Sequence, residues 1–172
     1  MYYKALLHLD LKNGGEIMIY KIANAMLTFD SISRPKLQKL CYYAYAWYIT
    51  FFGERLVSQL FMAGEQGPIC LELEAKYQEF EQEPIPKIGK KLSEIIPDVE
   101  LREFLKAIYD AHGELTDEQL ETMACMEDPW INARNREGEL SCIYVDEEII
   151  EWQTAKVLRE LKSENIYSIY NI

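Results

Sequence analysis

One segment limits the folds open to this chain more than any other, the run from Ser33 to Gly53. Residues 36–52 contain neither glycine nor proline. Leu37, Leu40, Cys41, Ala44, Trp47, Tyr48 and Phe51 recur there at three- and four-residue spacing, which gathers them into one wide apolar stripe on an α-helix. Ser33 suits the N-cap, because its hydroxyl accepts an otherwise orphaned amide of the first turn. Pro35 follows within that turn, where its missing N–H costs nothing. Gly53 fits the left-handed residue that ends a helix. Most of a helix's stability in a protein comes from packing its apolar face, so the remaining chain must supply neighbours for this one.

The rest of the sequence supplies them mostly as further helices. Ile19, Ile22, Ala23, Met26 and Leu27 keep a helical period and stop at the break Asp30–Ser33. Leu73, Tyr77 and Phe80 space one face of a helix over residues 71–80. Asp98 caps a helix carrying Leu101, Phe104, Leu105, Ile108 and Tyr109, which Gly113 closes. Thr116 and Gln119 form a capping box ahead of Leu120, Met123 and Ala124. Asp128-Pro129-Trp130 breaks that helix, and Trp130–Arg136 adds a turn or two before Gly138. Asp146 caps a last long helix with Ile149, Ile150, Val157, Leu158 and Leu161. Leu60–Ala63 reads as a short strand or extended segment, Gly67-Pro68 as a turn, and Pro84, Pro86, Gly89 and Ile95–Pro97 as loop. Met1–Ile17 is either a β-hairpin turning at Lys12–Gly15 or an extension ahead of a second start at Met18. The expectation is a mainly α fold: a single compact helical domain of five or six helices over residues 18–162, with at most a few short β-strands and a C-terminal tail at 163–172.

Charge narrows the partners. Residues 1–60 hold 7 basic and 4 acidic side chains, a net of +3; the remainder holds 11 and 25, a net of −14; together they give −11. An acidic body repels nucleic-acid phosphate and complements a basic protein surface, though surface charge also serves solubility alone. The 12 tyrosines suit core edges and interfaces equally. Cys41, Cys70, Cys125 and Cys142 are far apart, and His8 and His112 lie near none of them, so no metal or cofactor is expected. No apolar run approaches a membrane span and no signal peptide is recognisable, which predicts reduced thiols, a cytoplasmic location and no membrane partner.

Catalysis is poorly supplied. A nucleophilic triad needs a histidine, and His112 beside Gly113 is explained by the helix dipole's preference for a cation there. Glu127 and Asp128 beside Trp130 are the residues a hydrolase or metal site would use, but a solvated surface accounts for them. No phosphate-binding glycine loop occurs. The chain is therefore expected not to be an enzyme. Arg34, Lys36 and Lys39 cluster at the wrong end of their helix for its dipole. Either neighbouring acids such as Asp30 neutralise them, or they mark a site.

Three motifs point to a family. The run Lys36-Leu37-Gln38-Lys39-Leu40-Cys41-Tyr42-Tyr43-Ala44-Tyr45-Ala46-Trp47-Tyr48, then Gly67-Pro68-Ile69, then Glu127-Asp128-Pro129-Trp130-Ile131-Asn132-Ala133-Arg134, resemble in order and spacing the signature elements of the Panacea-domain (SocA-like) antitoxins. The similarity spans roughly residues 18–156. It implies a prophage- or bacterium-encoded antitoxin that neutralises a cognate protein toxin by direct contact; one branch resembles an adaptor that delivers its toxin to a AAA+ protease. Where the family often carries Thr-His, this chain has Ala124-Cys125, and the residues after Gly67-Pro68 also depart from the family pattern. Within the motifs, Leu37, Leu40, Ala46, Trp47, Gly67, Pro68 and Trp130 are expected to be structural. The face opposite the apolar stripe carries Lys36, Lys39, Tyr42 and Tyr43, which makes these four the candidate toxin-binding residues.

Overall fold

In element order the chain forms α1 (Ile19–Met26), α2 (Arg34–Phe52), β1 (Met62–Gly64), β2 (Gly67–Ile69), α3 (Leu71–Lys76), α4 (Leu92–Ile95), α5 (Val99–His112), α6 (Asp117–Cys125), α7 (Asp128–Asn135) and α8 (Asp146–Tyr170). The computed structural model describes residues 18–137 and 142–170, with side chains as far as residue 162. The alternatives for Met1–Ile17 and the stop at Gly138 lie outside the described residues. The mainly α class holds. The described residues form eight helices rather than five or six, because α4 is hidden between Gly89 and Pro97, and because α7 starts at Asp128 as a helix of its own. No described helix is long and apolar enough to cross a membrane.

The helix α2 is the axis. Its local signals act as expected: Ser33 accepts the Lys36 amide, Pro35 sits in the first turn, and Gly53 ends the helix with φ +70°. Its surroundings do not match the expectation of one buried stripe and one solvated face. Every residue from Leu37 to Trp47 is buried. A helix buried all round belongs at the centre of a fold, and α1, α5, α6, α8 and β2 all pack against α2. The partners present ordinary apolar faces, Ile19, Ile22, Ala23 and Met26 from α1, and Leu101, Phe104, Leu105 and Ile108 from α5.

Two stitches set how the outer elements dock. The Ser33 hydroxyl donates to the Asp117 carboxylate, 2.6 and 2.8 Å from its two oxygens, and so ties the start of α6 to the start of α2. Ile32 and Ile85 exchange backbone hydrogen bonds of 2.8 and 3.0 Å, which fastens the proline-rich loop to the α1–α2 turn. The capping boxes and caps at Thr116 and Asp98 form as their sequences require.

The Gly67-Pro68 pair is corrected from turn to strand. It lies in β2, paired antiparallel with β1 as Ala63 to Pro68 and Gly64 to Gly67, and the turn falls on Glu65-Gln66. Pro68 is tolerated because Ala63 opposite asks no ladder donor of it: the Ala63 carbonyl accepts from Arg134 at 3.3 Å, and the Ala63 amide turns the other way, to the Cys142 carbonyl at 2.7 Å. Gly67 adopts φ +109°, a conformation closed to other residues at low cost.

Ser33→Ala should remove the α2 cap and the bond to Asp117 together, lowering unfolding free energy by about 1–2 kcal/mol in urea denaturation. Asp110→Ala breaks an exposed i,i+4 ion pair with Lys106 and should change it by less than about 0.5 kcal/mol.

Candidate functional site

Since α2 has no wet face, its polar side chains must find partners indoors, and those partners build the site. Gln38 is 3% exposed. Its Nε2 donates to the Cys70 carbonyl at 3.2 Å and its Oε1 accepts the Cys70 amide at 2.9 Å, pinning the join of β2 and α3 to α2. A further bond reaches Glu74 at 3.2 Å. Tyr45 donates to Asp146 at 2.6 Å, where Arg55 also binds at 2.7 Å, and this anchors the start of α8.

Lys39 is 2% exposed and runs beneath Gly67, where a Cβ would stand 3.1 Å from its Cε. Its ammonium has one long hydrogen bond, 3.5 Å to the Pro35 carbonyl. Burial lowers its pKa, while the carboxylates of Glu121 and Asp117 pull it back up. Arg34 pairs with Glu74 at 3.0 Å. Two of the three cations at the head of α2, Arg34 and Lys39, thus have acids beside them: Glu74 for the first, Asp117 and Glu121 for the second. Asp30, the acid expected from sequence, instead caps the Ser31 amide.

Glu127 forms a second buried centre. It is the N-cap of α7, yet its side chain makes no cap bond and turns inward, 3% exposed. The Tyr43 hydroxyl donates to its Oε1 at 3.2 Å, and Oε2 is buried with no hydrogen-bond partner among the described residues. Burial pushes the carboxyl up to about 7, against the opposing pull of Lys156 and the Tyr43 hydroxyl. Gln153 and Trp152 of α8 also favour the ionised form, but neither closes a hydrogen bond to it. Tyr42 and Tyr144, with rings 4.9 Å apart, border the same carboxylate and are pushed well above the usual phenol range, chiefly by burial. His112 stacks on Tyr43 at 4.5 Å and donates from Nδ1 to the Ile108 carbonyl at 2.9 Å. Burial holds its pKa near 4, so it is neutral at pH 7, and the dipole explanation for a charged histidine there does not apply.

From the same helix that Glu127 caps, Trp130 donates from Nε1 to the Gly64 carbonyl at 3.0 Å, and Arg134 donates to the Ala63 carbonyl at 3.3 Å. These two bonds clamp the hairpin. Between the hairpin and the head of α2 opens a cleft of about 330 Å³, with Arg34, Lys39, Glu65, Pro68, Ile69 and Glu74 among its walls. Glu127 and Asp128 do not share a site: Asp128 is exposed and lines a separate groove with Glu151 and Arg159.

The four candidate contact residues separate accordingly. Tyr42 and Tyr43 are wholly buried and Lys39 nearly so, which corrects the expected exposed face; only Lys36, half-buried, reaches the surface. Leu37, Leu40, Ala46 and Trp47 are core residues as expected, and Gly67, Pro68 and Trp130 shape the hairpin. Gln38 and Gln153 were missed. Gln153 did leave a signal, since Ile149, Gln153 and Val157 fall on one helical face and a glutamine in an apolar stripe needs a buried partner. Glu127 was read as solvated because a carboxylate usually is.

No protein-family model, curated protein or solved structure matches this chain.

Gln38→Ala should strand the Cys70 amide, while the Cys70 carbonyl keeps the Glu74 amide at 3.0 Å, and lower unfolding free energy by about 1–3 kcal/mol, whereas Lys36→Ala should stay within about 0.5 kcal/mol; chemical denaturation of both variants checks this.

Proposed function

We propose that the protein is an antitoxin-type binding module that restrains a cognate protein toxin in the cytoplasm by direct contact, with the cleft between α2 and the β1–β2 hairpin as its contact face. The observation that carries this reading is the interlocking of the three sequence motifs around that cleft. Tyr43 of the first motif binds Glu127 of the third. Trp130 and Arg134 of the third hold the hairpin that contains the second. Gly67 of the second makes room for Lys39 of the first. Segments that resemble one family's signatures thus form one continuous piece of structure, which supports the resemblance and the function it implies.

The chemistry at hand favours binding over turnover. The Cys41 thiol is fully buried and pushed far above its ordinary range, Cys70 is raised to about 11, and the His112 ring is stacked and bonded to backbone. Such thiols are poor nucleophiles. The cleft mixes an apolar wall at Pro68 and Ile69 with charged rims at Arg34, Glu65 and Glu74. At the low end of pocket sizes, it suits side chains inserted by a partner.

Co-expression with the product of the adjacent gene should restore growth and yield a complex that co-purifies. Glu65→Lys and Gln66→Glu, both on the rim, should weaken that complex roughly tenfold, mainly through the association rate, while leaving the melting temperature unchanged. A harmless neighbouring gene product with no complex would overturn the reading.

A further inference from the structure

Glu127 stands at a junction of four parts of the fold. It begins α7, and α7 carries the hairpin clamp three and seven residues further on, at Trp130 and Arg134. Its carboxylate faces Tyr42 and Tyr43 from α2, Trp152, Gln153 and Lys156 from α8, and Tyr144 from the segment after residue 141. His112 of α5 lies behind Tyr43 and is neutral at pH 7. Cys125 of α6 borders Tyr144. Lys156 is the one cation in this company, and it makes no ion pair with Glu127 within 4 Å.

A carboxylate that is 3% exposed with a single hydrogen bond is poorly solvated once ionised. The neutral acid asks much less of the same surroundings. Ionisation therefore favours any opening that admits water to Oε2, and the element that carries the carboxylate is the first turn of α7.

We propose that Glu127 is a proton-operated latch: neutral, it seats the start of α7 against α2 and α8, and ionised, it loosens that seat and with it the hairpin that Trp130 and Arg134 hold. What the latch would regulate, partner access to the cleft, rests on the contact face proposed above. The latch itself is a property of the free chain and is tested on it.

The sign follows from the direction of the shift. In the unfolded chain the carboxyl titrates near 4.5, and in the folded chain near 7. The folded state keeps its proton longer, so the contribution of Glu127 to stability is full below about 4.5, declines as pH rises towards 7, and levels off above. Within that window Glu127 alone would raise the unfolding constant about tenfold per pH unit; His112, whose folded pKa lies near 4 against 6.5 unfolded, acts in the opposite direction below 6.5 and offsets it there.

The test uses the full chain labelled with ¹⁵N, wild type and Glu127→Gln, between pH 5 and pH 8.5. In the wild type the Trp130 indole cross-peak and the Gly64 amide should move with a midpoint near 7, and the denaturation midpoint measured relative to Glu127→Gln should fall with pH. In Glu127→Gln, which keeps the shape and an acceptor for Tyr43, the cross-peaks should be flat, and the denaturation midpoint should rise with pH up to about 6.5 as the His112 linkage stands alone. Tyr43→Phe removes the donor that favours the ionised form, so the midpoint should shift upward. The latch is wrong if the wild-type peaks do not titrate, if they titrate identically in Glu127→Gln, or if Tyr43→Phe leaves the midpoint in place. None of these readouts involves a partner, so a failed latch leaves the contact face standing, and a failed contact face leaves the latch standing.

Discussion

A helix enclosed on every side has nowhere wet to send its polar groups, and α2 carries five of them in its buried span: Gln38, Lys39, Tyr42, Tyr43 and Tyr45. An unpartnered buried donor or acceptor costs about 1–3 kcal/mol, comparable to a sizeable share of a domain's net stability. Four of the five are met by a different element each. Gln38 takes the β2–α3 join, Lys39 lies under the hairpin with α6 acids nearby, Tyr43 reaches the cap of α7, and Tyr45 reaches the start of α8. These contacts fix the register in which the outer layer docks, a specificity that the apolar packing alone would not supply, since it tolerates sliding.

The hairpin shows how far the arrangement is shared. A two-stranded sheet of three-residue strands is not stable by itself. It persists because Met62 also bridges to Ile143, because Gln38 holds its far end, and because Trp130 and Arg134 hold carbonyls of β1. Three of these four supports come from residues inside the family-like motifs. The motifs are therefore better understood as a tertiary lock than as a row of contact residues. The departure at Ala124-Cys125 fits this account. Ala124 packs beneath Gly67, with its Cβ 3.6 Å from where a glycine side chain would begin, and the half-buried Cys125 lies within the electrostatic reach of Glu121, Lys39 and Arg134.

What the sequence disclosed was local, and what it concealed depended on neighbours. Ser33, Asp98 and Thr116 cap the helices they should, because a cap is decided within four residues. The strand at Gly67-Pro68 looked like a turn because both residues favour turns; only its pairing with β1 makes it a strand. The four residues of α4 lie between a glycine and a proline and have no room for a period. The site was legible as motifs but not as geometry. An amphipathic reading of residues 36–47 assumes that one face is wet, and so assigned Lys39, Tyr42 and Tyr43 to solvent. Nothing within the segment could signal that five other elements would close over it.

That enclosure also bears on where variation between partners would be written. Residues committed to the lock leave little freedom, since changing Gln38, Tyr43 or Trp130 disturbs docking before it alters any outward contact. The positions free to vary are those on the rim: Glu65, Gln66 and the Arg34–Glu74 pair, with relative exposures of 24% and 41% for the two members of that pair. A lock of fixed residues around a mutable rim is the division of labour expected of a scaffold that presents a contact surface, because charge changes at a rim tune encounter and selectivity at little cost to the fold.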